Sequence, residues 1–349
     1  MSSRATIADI ARALNVTPAT VSRALNDHPG ISQETKKAVR KVAEKLQYKR
    51  NKIASSLRSG KSQMIGVILP STAINFFGEV VHGIEAMANA HGYSVLLYQS
   101  NELPEYEKKG LEALISAGVD GILASVAKET VDLGHYEDLK DHSIPLVFFD
   151  RVDDSLGIPS VVVDDFRGAY LATEHLARQG YRRIAHISGP QHLKIFKDRL
   201  EGYRAALNDL GLGVGEKLIF PGDVTIEAGR RAVQHFLSLE ERPDAIFAVE
   251  DYSALGAMKE LKDHKLRIPE DVGIVGFANE DFGEHITPAL SSIDQQPVQM
   301  GKEAFRMLLG LMNPKPAAKK GVEGVVQVEV KTVVMLEPIA FFRQSSIRL

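Results

Sequence analysis

Short apolar runs alternate with helical segments through most of this chain. The first run, 64–70, is apolar and ends in Pro, as expected of a buried parallel strand, and an amphipathic helical pattern follows over 78–90. Because strands that alternate with helices form parallel sheets, the order predicts an α/β fold. Further strands are predicted at 93–98, 121–125, 146–149, 160–163, 184–188, 245–249 and 273–277, with helices at 105–117, 168–179, 199–210, 226–239 and 253–264.

The number of these repeats exceeds what one doubly wound sheet usually needs. We therefore expect two lobes, each built on its own sheet. Open α/β sheets bind ligands at the carboxyl ends of their strands, so the pattern also predicts a ligand cleft between the lobes.

Charge is distributed unevenly along the sequence. The first 62 residues contain 13 Lys and Arg against 4 Asp and Glu, a net charge of +9, whereas the remaining 287 residues contain 29 bases and 41 acids, a net charge of −12. This asymmetry indicates a polyanion-binding head on an acidic body, with a solvated basic tail as the alternative.

Several classes of function lack their usual sequence signals. The chain has no Cys and no HExxH pattern, so we expect no disulfide, metal or other cofactor. It has no long apolar run and no apolar signal core at its N-terminus, so we expect a cytoplasmic protein without a membrane partner. The glycine-rich stretch 211–215 follows a helix and lacks the Lys-Ser/Thr ending of a phosphate loop, and no GxSxG occurs, so we expect no enzyme and no catalytic residues.

Three helical patterns fill residues 6–46. Thr6 is a suitable N-cap for the first helix, and Asn15-Val-Thr-Pro18 is typical of a helix end, a tight turn and a new helix start. The second helix is expected to run to about Leu25, and the third begins after Ser32. Two short helices joined by a tight turn, with small Ala11 at their crossing, form a helix-turn-helix whose second helix would enter the DNA major groove.

Residues near the start of the second helix are the candidates for DNA contact. Arg23 has the donors to bind guanine O6 and N7, or alternatively a phosphate, and Ala19 offers a methyl group to thymine. Hydroxyl groups such as those of Thr17 and Ser22 more often hold the DNA backbone. For each residue taken alone, a solvated helix face is the competing interpretation.

The segment 50–58 has high helical propensity but is too short and polar to be stable alone in water. We expect it to become ordered only when bound. Residues 59–62 are typical of a linker. The predicted domains are therefore a helix-turn-helix domain at 1–49, a hinge and linker at 50–62, and a core at 63–349.

The motifs Thr6-Ile-Ala-Asp-Ile-Ala, Asn15-Val-Thr-Pro-Ala-Thr-Val-Ser-Arg-Ala-Leu-Asn26 and Asn51-Lys-Ile-Ala-Ser-Ser-Leu57 closely resemble the LacI/GalR family of bacterial repressors. Core motifs such as 65–70, 145–150 and 254–258 continue the resemblance along the chain. It implies a homodimer on a near-palindromic double-stranded operator, and a hinge helix that wedges Leu57 into the minor groove, unless Leu57 packs within its own domain. The predicted DNA-binding residues are Thr6, Thr17, Pro18, Ala19, Thr20, Ser22, Arg23, Asn26, Asn51, Ala54 and Leu57.

The resemblance also implies a two-lobed core like that of periplasmic binding proteins, which binds a small-molecule effector. The implied effector-binding residues are Phe76, Phe77, Asp150, Arg199, Glu250, Asn279 and Gln295. Aromatic rings, an Arg and carboxylates suit a sugar. The family usually has Asn at the position of Glu250 and Asp at the position of Ala278. Three interpretations of Glu250 therefore stay open: it favours a ligand with an amino or other cationic group, it is neutralised by Arg199, or it does not contact the ligand.

The resemblance further places lobe one at about 63–163 and 294–336, and lobe two at about 164–293 and 337–349. It implies that effector binding changes the angle between the lobes and thereby the hinge helices. The few residues after 346 leave no heptad tail, which favours a dimer. A repressor is expected, and whether its effector releases or promotes DNA binding stays open. The alternative is a solute-binding protein of a transport system, which would require an export signal and no basic DNA reader.

Overall fold

A computed structural model describes residues 5–48, 61–313 and 332–348 of the chain. The chain divides into two compact units, Met1–Ser62 and Gln63–Leu349, which we call the headpiece and the core. The predicted contact residues Asn51, Ala54 and Leu57 lie outside the described residues, as does the predicted hinge segment.

The headpiece contains helices α1 (Ile7–Leu14), α2 (Pro18–Leu25) and α3 (Gln33–Lys45). Thr6 and Asp9 form a capping box at the start of α1, in which the backbone N–H of Thr6 donates to the Asp9 carboxylate at 2.9 Å. Asn15 ends α1 in the left-handed conformation, with φ of 52°, and Thr17 caps α2 directly before Pro18. The predicted helix-turn-helix is therefore confirmed, because the side chains at its turn adopt the conformations that their chemistry favours.

The small headpiece is stabilised by a compact apolar core and by one buried lysine, Lys36. Ala11 is buried at the crossing of the helices as predicted, whereas Val16 is only partly buried. The Lys36 side chain is 5% exposed, and its Nζ lies 3.0 Å from the carbonyl oxygen and 3.1 Å from Oδ1 of Asp27. This pairing joins α3 to the α2–α3 loop. The fully enclosed apolar side chains are Ile10, Ala11, Val21, Ala24, Val39 and Ala43.

Lobe one of the core is built on a six-stranded parallel sheet. Its strands are β1 (Met64–Leu69), β2 (Ser94–Gln99), β3 (Gly121–Ala124), β4 (Leu146–Phe149), β5 (Ser160–Val163) and β11 (Val333–Leu336), in the order β11-β5-β4-β3-β1-β2. Helices α4 (Asn75–Ala90) and α10 (Pro297–Met312) cover one face, and α5 (Pro104–Ser116) covers the other with the one-turn helix Gly134–Glu137.

Helices α4 and α10 approach each other closely because two glycines face the opposite backbone. A Cβ at Gly83 would lie 2.2 Å from the carbonyl oxygen of Val298, and one at Gly301 would lie 2.1 Å from that of Val80. Neither position accommodates a larger side chain unless the helices move apart.

Lobe two is built on a four-stranded parallel sheet with the order β7-β6-β8-β9. Its strands are β6 (Ile184–Ser188), β7 (Ile219–Pro221), β8 (Ala245–Ala248) and β9 (Gly273–Val275). One face packs on α6 (Asp165–Arg178) and α7 (Lys194–Asp209), and the other on α8 (Ile226–Ser238) and α9 (Asp251–Asp263). An antiparallel pair, β10 (Ser292–Asp294) with β12 (Ile339–Phe341), packs beside α6.

The chain passes between the lobes after β5, after β10 and after β11. Short 3₁₀ turns at Asp138–His142, Asp154–Leu156 and Glu216–Leu218 and the one-turn helix Phe282–His285 complete the described elements. The predicted α/β fold with parallel sheets is confirmed. Among the described residues, no helix has the length and apolar composition required to span a membrane.

Candidate functional site

The start of α2 presents polar side chains at the headpiece surface. Thr17 uses its hydroxyl for the helix cap, because Oγ1 accepts the backbone N–H of Thr20 at 3.1 Å and bonds the Thr20 hydroxyl at 2.9 Å. Ser22 and Thr20 are half-buried. Among the described residues, the exposed members of the predicted DNA-binding set are Thr6, Thr17, Pro18, Ala19, Arg23 and Asn26.

Arg23 differs from the two other arginines in the described part of the headpiece, Arg12 and Arg40. Arg12 forms an ion pair with Asp9 at 3.3 Å, and Arg40 forms one with Asp27 at 3.2 Å. The Arg23 side chain is exposed, and its guanidinium has no hydrogen bond or ion pair with any residue in the described ranges. Its guanidinium is therefore available to an anion or a base edge without first breaking an internal contact.

The core contains a cavity of about 460 Å³ at the carboxyl ends of the strands. The first residues of α4, the residues after β4, and the loops after β7, β8, β9 and β10 all reach it. Its walls are formed by Ile74, Phe76, Phe77, Asp150, Arg151, Ile195, Phe196, Arg199, Val224, Thr225, Ile226, Glu227, Glu250, Tyr252, Ala278, Glu280 and Gln295.

Aromatic rings form one part of this wall. Phe76 and Phe77 stand edge to face at the start of α4, with ring centroids 5.1 Å apart. Phe196 extends from the first turn of α7, and Tyr252 from the first turn of α9. A set of flat apolar faces of this kind favours a ligand with an apolar ring face of its own.

Arg199 reaches the cavity from α7 but is held by the protein. Its Nε donates to Asp165 Oδ1 at 2.7 Å, and its Nη1 donates to the carbonyl oxygen of Val249 at 2.7 Å. The guanidinium carbon lies 3.7 Å from the centroid of the Phe277 ring. Burial raises the pKa of Asp165, and the neighbouring Arg199 opposes that rise. These contacts fix the Arg199 guanidinium before any ligand enters.

The neighbouring residues Asp164 and Asp165 have different roles. Asp164 caps α6, since its Oδ1 accepts the backbone N–H of Arg167 at 2.8 Å, as expected for an exposed acidic residue at a strand end. Asp165 instead is buried and forms the ion pair with Arg199. Of the two neighbouring carboxyl groups, only that of Asp165 belongs to the buried ion pair.

Three buried or partly buried carboxyl groups face the cavity. Asp150 follows β4 with φ of 60°, and Gln295 Nε2 approaches its Oδ1 at 3.4 Å. Glu250 caps α9, because its Oε2 accepts the N–H of Tyr252 at 2.7 Å. Glu280 Oε1 accepts the N–H of Phe76 at 3.3 Å, which links lobe two to lobe one. Burial raises the pKa of all three carboxyl groups.

Asn279 is placed differently from the other predicted effector contacts. It does not line the cavity; its Nδ2 donates to Asp294 at 2.9 Å, and its Oδ1 accepts from Arg343 at 2.8 Å. Ala278 and Glu280 on either side of it do line the cavity, and Ala278 has φ of 111°, which is rare outside glycine. The structure thus brings together Phe76, Phe77, Asp150, Arg199, Glu250 and Gln295.

Sequence reasoning did not find several of the wall residues. Arg151 directly follows Asp150, Glu280 directly follows Asn279, and Tyr252 lies two residues after Glu250. The segment 224–227 reaches the cavity because it follows β7, a strand of three residues that no sequence pattern predicts.

A polar bridge connects the lobes away from the cavity wall. Lys128 Nζ, in the segment after β3, lies 3.2 Å from both carboxylate oxygens of Asp223, which follows β7. His192 Nε2 lies 2.6 Å from the carbonyl oxygen of Lys128. We call Lys128, Asp223 and His192 the cross-lobe bridge. These contacts exist only when the two lobes are at their present separation.

Two family models together match nearly the whole chain. Residues 6–51 match the model of bacterial regulatory proteins of the lacI family. Residues 62–331 match the model of periplasmic binding proteins and the sugar binding domain of the LacI family. The Escherichia coli K12 transcriptional repressor CytR is 35% identical over 308 residues, which cover 88% of this chain and 90% of CytR.

Solved structures agree with this result. The lac repressor dimer bound to operator and an anti-inducer has the same fold, with a TM-score of 0.84 over 99% of this chain and all of that one, at 24% identity. The transcriptional regulator CelR in complex with cellobiose is 28% identical with a TM-score of 0.70, covering 98% of this chain and all of that one.

The relatives are transcriptional regulators and not enzymes. This result confirms the expected class, a DNA-binding regulator, and argues against the alternative of a solute-binding transport protein. The chain belongs to the lacI family of bacterial regulatory proteins and is a DNA-binding transcriptional repressor.

Proposed function

We propose that this repressor binds a near-palindromic operator as a homodimer, and that a small hydroxylated molecule, a sugar or sugar derivative, binds the core cavity and changes its operator affinity. The observation that carries the proposal is the cavity itself, where aromatic rings, carboxyl groups and a fixed Arg199 converge at the carboxyl ends of both sheets. The protein would act in the cytoplasm, where the bacterial DNA lies.

The headpiece geometry supports the proposed mode of DNA binding. Helix α2 has eight residues and, with its cap Thr17, presents the exposed side chains of Pro18, Ala19 and Arg23, enough to contact a few base pairs in one major groove. Two headpieces related by two-fold symmetry would read two half-sites and produce the near-palindrome. Insertion of Leu57 into the minor groove is part of the same proposal and is drawn from the sequence alone.

The cavity chemistry supports a carbohydrate. A sugar ring has an apolar face that packs on aromatic rings, and its hydroxyl groups donate to carboxylates and accept from guanidinium groups. The CelR structure, similar over most of this chain, contains cellobiose. We propose that the cavity holds the effector through Phe76, Phe77, Asp150, Arg199, Glu250 and Gln295.

Selection of bound DNA from a random pool tests the operator proposal. Full-length protein is expected to enrich one sequence with two inverted half-sites, and a single unrepeated site would contradict the homodimer. The Leu57→Ala variant is expected to bind the selected operator more weakly than the wild type, while its non-specific binding to DNA stays nearly the same. Equal losses on operator and random DNA would contradict the wedge.

A further inference from the structure

We propose that the effector carries a protonated amine, held between Glu250 and Glu280 at the lobe-two wall of the cavity, in addition to hydroxyl groups. This inference rests on the proposed function, because it concerns the ligand of the same cavity. It is a narrower statement, since a neutral sugar would satisfy the proposed function and not this inference.

The cavity walls contain more acidic than basic groups. The carboxyl groups of Asp150, Glu227, Glu250 and Glu280 line the cavity, against the guanidinium groups of Arg151 and Arg199. Glu227 is exposed to solvent, whereas Glu280 is 3% and Asp150 is 5% exposed. Within the part of the chain that the structure describes, neither Glu250 nor Glu280 has a cationic partner within 4.0 Å.

Both guanidinium groups are already compensated by acids outside the wall. Arg199 pairs with Asp165 at 2.7 Å, and both side chains are less than 5% exposed. Arg151 Nη1 pairs with Glu102 at 2.7 Å, while its Nε is 3.9 Å from Asp150. The charge of Arg199 partly opposes the rise in the pKa of Glu250, but among the described residues neither Glu250 nor Glu280 has an ion-pair partner.

The uncompensated charges lie close enough to affect one another. Burial raises the pKa of Glu250, and the negative charges of Asp251 and Glu280 raise it further. Burial also raises the pKa of Tyr252, with added contributions from Glu280 and Glu250, and Tyr252 lines the same cavity as both carboxyl groups. An ammonium group placed there would relieve this repulsion, donate charge-assisted hydrogen bonds to both carboxylates and lie beside an aromatic residue of the wall.

The opposite part of the wall requires a hydrogen-bond acceptor. Arg151 is 6% exposed, and its Nε is buried without a hydrogen-bond partner among the described residues. This Nε is closed off from the cavity, but Arg151 lines the wall, and its other N–H groups can donate to a hydroxyl or ring oxygen of the ligand. A ligand with an ammonium group at one end and oxygen atoms at the other, such as an amino sugar, matches both features.

Matched ligand pairs test the inference by isothermal titration calorimetry on the full-length protein near neutral pH. The pairs are glucosamine with glucose, galactosamine with galactose, and the β-1,4-linked glucosamine dimer with cellobiose. We expect the amine of at least one pair to bind about tenfold more tightly than its neutral partner, since hydrogen bonds to charged groups are stronger than those between neutral groups.

Three variants assign the preference to the proposed residues. Glu250→Gln retains an acceptor for the Tyr252 N–H, and both it and Glu280→Gln are expected to reduce the preference for the amine about tenfold. Asp281→Asn removes an exposed carboxylate next to Glu280 but outside the wall, and the preference is expected to stay within about twofold, because exposed charges are screened by solvent.

The outcomes separate the inference from the proposed function. If a neutral sugar binds the wild type as tightly as its amine, or if Glu250→Gln and Glu280→Gln keep the amine preference, the inference is wrong and the proposed function stands. If no member of any pair binds, the carbohydrate proposal fails and this inference fails with it.

Discussion

Arg199 and Asp165 form an ion pair within lobe two in which the two side chains are 3% and 4% exposed and Nη2 lies 2.7 Å from Oδ1. The pair joins α6 to α7 at the edge of the cavity, and Arg199 also donates to the backbone after β8. The family resemblance implied Arg199 as a ligand-binding residue. Its ion pair with Asp165 shows that it also joins two helices of lobe two.

Replacement of Arg199 with Met is expected to destabilise the core by about 3–5 kcal/mol, because Asp165 would remain buried without its partner. Urea unfolding of the core, followed by circular dichroism, measures this loss. The double variant with Asp165→Asn is expected to recover part of it, since no buried charge remains. A single variant as stable as the wild type would contradict the structural role of the pair.

Glu250 is expected to make core stability depend on pH. Burial raises the pKa of Glu250 in the folded state, so its ionised form is less favourable there than in the unfolded chain. Stability should therefore fall as pH rises above the unfolded value, and Glu250→Gln should lose less stability than the wild type between about pH 5 and about pH 8. Thermal unfolding across this range measures the difference.

The matched control for this experiment is Glu240→Gln, which removes an exposed carboxyl group in the same lobe. Its pH profile is expected to follow that of the wild type. If the profile of Glu250→Gln also follows the wild type, the carboxyl group of Glu250 is not destabilised by burial.

The cross-lobe bridge is expected to favour the present arrangement of the lobes. Lys128→Met removes the ion pair with Asp223, in which the side chains are 17% and 36% exposed, and should weaken effector binding by about two- to fivefold, as such pairs contribute up to about 1 kcal/mol. Calorimetry with the ligand that binds best measures the change. Lys259→Met, at an exposed lysine of α9, is the control and should leave the affinity unchanged.

A double-mutant cycle with Asp223→Asn completes this test. Once Lys128 is replaced, removal of the Asp223 charge should have little further effect, because the two side chains act as one pair. Additive losses from the two changes would show that they act separately.

Arg23→Ala is expected to cost roughly 1–3 kcal/mol of operator binding, with the loss confined to one base position if Arg23 reads a base edge. Binding to single-base variants of the selected operator measures this pattern. Arg12→Ala, at an exposed arginine of α1 paired with Asp9, is the control. A uniform loss on all DNA sequences would identify Arg23 as a phosphate contact instead.

Local chemistry explains why the headpiece was predictable. Thr6, Asn15, Thr17 and Pro18 each have a conformational preference that depends on neighbouring residues alone, and together they fix the ends of two helices. The buried strands of the core were predictable for the same reason, since their continuous apolar runs need no partner to be recognised.

Elements that depend on distant partners were not predictable. Strand β7 has three residues and ends in Pro221, and β10 is defined only by its pairing with β12. The helix α7 begins at Lys194, five residues before the predicted start, so Arg199 lies inside the helix. Helix α10 was absent from the sequence pattern, although it covers much of the lobe-one sheet.

The residues near the cavity also divide into those that the sequence could predict and those that it could not. Asp150 and Glu250, which the family resemblance implied, directly follow predicted strands and line the cavity. Asn279 was misjudged because its neighbours in sequence line the cavity while its own side chain binds Asp294 and Arg343. The partners of Arg199 and Glu280 lie far away in sequence, so their contacts follow only from the fold.

The central claim is that occupation of the core cavity changes operator affinity. The direct measurement is the dissociation constant of the full-length protein for its selected operator, with and without a saturating ligand of the cavity, by fluorescence anisotropy at fixed salt. The account predicts a change of about fivefold or more, the usual lower range of allosteric coupling. Equal operator affinities with the cavity occupied and unoccupied would contradict it.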